Sequence, residues 1–132
     1  MYELIEIAAT DATRFLRLKN IESGIIEECF DDSAVVSDKN FNFMKINQRY
    51  QCKIKLFGKA VREKTENSAI CKVINREIMI GKKPMVEVQI DNDHYYIAKK
   101  TIKDFLNDES FYFCCTRKDL IQVDDVVHAD LF

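Results

Sequence analysis

The stretch from Tyr50 to Val61, YQCKIKLFGKAV, alternates over its first seven residues, with Tyr50, Cys52, Ile54 and Leu56 set against Gln51, Lys53 and Lys55. Successive side chains of a strand point to opposite faces, so the pattern predicts one apolar face and one basic face. Phe57 and Gly58 interrupt it, as happens where a strand bulges or bends on a curved sheet. This segment is expected to be the central strand.

Downstream, Ser68 to Ile80 is rich in isoleucine and valine, with Asn75, Arg76 and Glu77 between two apolar halves. Gly81 to Pro84 reads as a turn, and Pro84 is unsuited to the middle of a sheet. Met85 to Ile90 alternates strictly, and Asp91, Asn92 and Asp93 turn it into His94 to Ala98, the most secure hairpin of the chain. Thr101 and Asp104 resemble a capping pair ahead of Ile102, Phe105 and Leu106, which predicts a short helix over 101–107. Phe111 to Thr116 reads as a strand, and Leu120 to Val127 as a last one interrupted by Asp124 and Asp125.

Upstream, Tyr2 to Ile7 alternates weakly and suits a strand or a first helical turn. From Thr10 the spacing of Ala12, Phe15 and Leu18 predicts an amphipathic helix of about three turns, with Thr10 as its cap. Gly24 to Phe30 and Ala34 to Ser37 flank Asp31, Asp32 and Ser33 as a hairpin would, and Asn40 to Ile46 is β-prone through Phe41 and Phe43. The expected fold is α+β and mostly β. It is an antiparallel curved sheet or small, partly open barrel of about seven short strands, with an N-terminal helix and one short helix near 101–107. Such a barrel is similar in architecture to the oligonucleotide-binding type.

A length of 132 residues with 47% hydrophobic and 32% charged residues suits one soluble globular domain spanning 1–132. No apolar run approaches the length of a membrane span, and the acidic N-terminus does not read as a secretory signal, so a cytoplasmic location is expected. Five cysteines without framework spacing fit that compartment and read as reduced, buried small hydrophobes. Charge is uneven: residues 1–44 sum to −5, 45–83 to +8 and 104–132 to −5.

No motif for catalysis, a metal or another cofactor stands out. Cys114 and Cys115 are adjacent in a strand and face opposite ways, and neither His94 nor His128 has a ligand at zinc spacing. The expected function is therefore non-enzymatic. The leading expectation is a protein-binding module, an immunity or antitoxin-type inhibitor that neutralises a nuclease-like toxin by covering its basic surface. Its partner-binding residues would be Asp31, Asp32, Tyr96, Asp124 and Asp125. The alternative is a nucleic-acid-binding barrel that uses Lys53, Lys55, Arg62, Lys72 and Arg76 of the basic middle, which requires an aromatic ring beside those bases.

Overall fold

The structure, a computed structural model, describes residues 1–132. Ten strands run in the order β1 (Tyr2–Ala9), β2 (Arg14–Asn20), β3 (Ile26–Asp31), β4 (Arg49–Tyr50), β5 (Cys52–Val61), β6 (Ser68–Ile80), β7 (Lys83–Ile90), β8 (Asp93–Ala98), β9 (Ser110–Val123) and β10 (Val126–Val127). A one-turn helix α1 (Ser33–Val36) and two 3₁₀ segments, Lys99–Phe105 and Ala129–Leu131, complete it. The fold is mostly β, as the alternation predicts. No helix is long and apolar enough to cross a membrane.

The strand order β9-β5-β8-β7-β6, with β6 returning to β9, closes a five-stranded barrel. It is closed rather than partly open because β6 is long enough to serve two partners. Its first half pairs with β9 from Ser68 to Lys72, and from Lys72 onward it pairs with β7. Register shifts at Val73/Asn75 and Asn75/Ile78 mark the bend between those halves.

β5 is the central strand the alternation predicts. Ile54 and Leu56 are buried, and its pairing with β9 slips one residue at Phe57/Gly58. There the two backbones almost touch: a Cβ on Gly58 would lie 2.0 Å from the Cys114 carbonyl oxygen, so only glycine permits the bulge. The β7–β8 hairpin also forms as expected, with Asp91 at φ 53° in its turn.

The N-terminal third departs from expectation. No helix follows Thr10; the backbone N–H and hydroxyl of Thr10 donate to the Thr13 carbonyl in a turn, and Arg14–Asn20 is a strand. Leu16 and Leu18 are buried while Arg17 and Lys19 face out, a period of two that outweighs the Ala12/Phe15/Leu18 coincidence once β1 and β3 pair on either side. The hairpin expected across Asp31–Ser33 is absent, because β3 pairs with β2 and meets β9 at Phe30/Asp119, while Ser33–Val36 turns helical. Residues 40–46 form turns rather than a strand, with Phe41 and Met44 plugged into the core.

Later, the segment expected as a helix over 101–107 is the 3₁₀ run Lys99–Phe105, and the last two expected strands are one continuous β9 followed by β10. The main core of 19 residues draws on β1–β3 and on the barrel together. A second cluster, Ile80, Met85, Ala98, Ile121 and Leu131, lies under the C-terminal turn.

Candidate functional site

The C-terminal turn organises the molecule's principal surfaces. Gly81, at φ +59°, lets the β6–β7 turn approach so closely that its Cβ position is 2.5 Å from the Leu131 carbonyl, which accepts the Lys82 N–H. His128, 5% exposed, fastens the other side. Its Nδ1 accepts the Asp130 backbone N–H at 3.1 Å, which leaves the ring proton on Nε2 to donate to Asp32 Oδ1 at 2.6 Å. The ring packs edge-on against Phe41.

Ligand atoms of Asp32, His128 and Asp130 lie within 4.8 Å of one another. The carboxylates address opposite ring nitrogens, however, so an ion on either nitrogen displaces a hydrogen bond already made. The group works chemically as a clamp that holds the turn to α1.

On one side of the clamp is a cleft of about 550 Å³ lined by Asp38, Lys39, Asn40, Phe43, Asp125 and Val126, with Val127 and Phe132. Its aromatic rings are open to solvent: Phe43 is 42% exposed and Phe132 65%. Val35 and Val36, just before Asp38, and Ile46, three residues after Phe43, are exposed as well. Phe43 stands edge-on to Tyr50, whose hydroxyl accepts the Lys45 N–H and so fixes the loop. The result is an apolar patch carrying two carboxylates and one ammonium.

On the other side lies the outer face of β5. Lys53 sits over the Tyr96 ring at 5.7 Å, and Lys55 over the Phe57 ring at 5.6 Å. The Lys55/Tyr96 bridge between β5 and β8 brings these side chains together. Arg117 stacks on Phe30 at 4.3 Å and on Phe57 at 5.4 Å, while its guanidinium forms two hydrogen bonds to Asp119. That pairing raises the Arg117 pKa and neutralises its charge locally. Lys53 and Lys55 have no carboxylate within ion-pair distance.

The remaining candidates scatter. Asp31 is buried and accepts Arg14 Nε at 2.7 Å and the Ser33 N–H at 2.9 Å, so it is structural. Asp124, at φ 50°, accepts the Gln51 N–H and shapes the β9–β10 turn. Asp125 is exposed in the cleft, and Tyr96, half-buried beneath Lys53, does not line it. Arg62 covers Phe105, Arg76 donates to the carbonyls of Leu106 and Asp108, and Lys72 projects from β6; none of them joins Lys53 and Lys55. The basic middle is thus divided between faces.

The thiols are free but unequal. Cys29 and Cys71 are buried as expected, Cys52 and Cys114 are half-buried, and Cys115 is exposed. Burial pushes the Cys52 and Cys71 thiols up to about 12 and also raises Cys29 and Cys115.

Asp38, Lys100 and Phe132 escape sequence reading, whereas Phe43 reads there as part of a strand, Lys83 as part of a basic turn and His128 as a histidine without a zinc partner. One signal was available: Phe57 keeps the odd-numbered, outward parity of Lys53 and Lys55, which marks it as the exposed ring that a basic face needs. Comparisons with protein families, with curated proteins and with solved structures return no match.

Proposed function

We propose that this chain is a binding module that occupies a protein partner through the cleft between the 38–43 loop and the C-terminal turn. The observation that carries this reading is the company of Asp38 and Asp125 with the exposed rings of Phe43 and Phe132. Exposed apolar patches with polar rims mark protein interaction sites, and aromatic residues dominate their energetics. Two carboxylates against one lysine favour a basic partner and speed the encounter. The finer form of the proposal is an immunity or antitoxin-type inhibitor that covers the basic surface of a nuclease-like toxin.

The test is affinity capture from nuclease-treated native lysate, with wild-type protein beside D38K/D125K and F43S. A captured protein retained by the wild type, lost by both variants and blocked in its nuclease activity at equimolar inhibitor supports the proposal. Equal capture by all three proteins refutes the cleft as the interface.

A second reading is favoured by a separate observation, the lysines poised over Tyr96 and Phe57. Ammonium groups beside rings are what a single-stranded nucleic acid needs. On this reading, affinity for an oligonucleotide falls steeply with salt, and K53Q/K55Q flattens the dependence by about two contacts. An unchanged salt slope in that variant removes this reading.

A further inference from the structure

A cavity of about 480 Å³ opens beside the C-terminal turn, lined by Lys55, Lys83, Pro84, Met85, Ala98, Lys100, Asp130 and Leu131. The sheet register builds it. Met85 pairs with Ala98 at the mouth of the β7–β8 ladder, so Lys83, just before Met85, and Lys100, just after Ala98, arrive at the same end of the sheet. Lys55 reaches it from β5 through its bridge to Tyr96, two residues before Ala98. Leu131 of the C-terminal turn packs with Met85 and Ala98 beneath it.

The floor and the rim differ in chemistry. Met85, Ala98 and Leu131 are nearly inaccessible and apolar. Three lysines, Lys55, Lys83 and Lys100, line the rim, none within ion-pair distance of a carboxylate, although the chain as a whole carries net charge −2, and the Lys55 ammonium also reaches the neighbouring Phe57 ring. Other cations, such as Lys99, Arg14, Arg17, Arg49 and Lys118, are paired. The only acid lining the cavity is Asp130. Three positive charges and one negative leave a balance of +2, which matches a phosphomonoester of about −1.5 to −2 better than a phosphodiester of about −1.

We propose that this cavity binds a terminal phosphate carried on an apolar or aromatic body, as in a mononucleotide or the 5′ end of a single strand. The phosphate sits among Lys55, Lys83 and Lys100, and the body lies on exposed Pro84 and the lysine stems above the buried Met85, Ala98 and Leu131. The site does not depend on the protein-binding cleft, from which it shares no lining residue.

The experiment is an amide-resolved NMR titration of the full chain with AMP, adenosine and inorganic phosphate, and with a pentanucleotide bearing either a 5′-phosphate or a 5′-hydroxyl. The expected result is saturable shifts at Met85, Ala98 and Leu131 with phosphorylated ligands, and AMP binding tighter than either adenosine or phosphate. Each ammonium removed, in K83Q, K100Q and K55Q, should cost about tenfold in affinity for the phosphorylated ligand. A preference shown by AMP identifies a free nucleotide as sufficient; a preference shown only by the phosphorylated pentanucleotide identifies a strand end. Equal binding of phosphorylated and unphosphorylated ligands, shifts elsewhere on the surface, or a phosphate preference that survives K83Q/K100Q overturns the proposal.

Discussion

Replacing Lys118 by methionine isolates the energetics of a charge buried between the N-terminal strands and the barrel. Glu27 of β3 has a side chain only 2% exposed, and its Oε2 lies 2.8 Å from Lys118 Nζ. That oxygen has no well-aligned hydrogen bond, so the ammonium is what offsets the burial of its charge. Breaking a buried ion pair from one side costs about 3–5 kcal/mol, because the remaining charge is uncompensated. Lys118 is 33% exposed, and water entering in its place softens the loss, so the lower figure of about 3 kcal/mol applies here. For a chain of 132 residues, about 0.28 kcal/mol per degree at the midpoint converts that to a Tm lower by about 10 °C.

The complementary variant is cheaper. Glu27→Gln removes the charge but keeps the shape, and Lys118 is free to turn toward solvent, so about 1 kcal/mol is lost. The double variant E27Q/K118M carries no stranded charge and is expected to be more stable than K118M alone by about 1–2 kcal/mol. Urea denaturation of the four proteins at pH 7 measures the cycle. A K118M cost below about 1 kcal/mol, or additive effects in the double variant, refutes the buried-pair reasoning.

Gly58→Ala places a methyl group against the Cys114 carbonyl and should destabilise the barrel by about 1–3 kcal/mol or more, read as a fall in the urea midpoint; an unchanged midpoint means that the bulge relaxes freely. His128→Leu leaves the Asp130 N–H and Asp32 without their partner, so amide hydrogen exchange over Ala129–Leu131 should accelerate while β7 and β8 stay protected, at a cost of about 1–3 kcal/mol. Alkali should weaken the fold. Cys52 and Cys71 hold their protons up to about 12 when folded and release them from about 9 when unfolded, so stability is intact below pH 9 and falls by about 1.4 kcal/mol per pH unit for each thiol above it. Urea midpoints at pH 8, 9 and 10, compared with those of C71A, test this; parallel curves would dismiss the thiol contribution. A disulfide-exchange reagent at pH 8 should react with Cys114 and Cys115 well before Cys29 and Cys71, and mass mapping of labelled peptides reads the order.

Local chemistry was legible from the residues. The alternation of Cys52 to Leu56 fixed which face of β5 is core, Gly58 announced the bulge, and Asp91 to Asp93 announced the turn between β7 and β8. Each of these signals acts within a few residues, where backbone sterics and side-chain parity decide the outcome. Across Arg14 to Asn20 two periods coexist, and the choice fell to β1 and β3, which bury Leu16 and Leu18 from either side.

The functional surfaces were decided at still longer range. Asp31 looks like a surface acid until Arg14 reaches it, and Asp32 until His128, distant in the chain, does the same. The bases of the middle segment look like one patch until the barrel turns Lys72 and Arg76 away and gathers Lys55 with Lys83 and Lys100 instead. Composition and alternation determined a β-rich chain with a basic centre and acidic ends. Only closure of the sheet decided which charges cancel and which remain open, because pairing depends on distances between residues that the order of the chain leaves far apart.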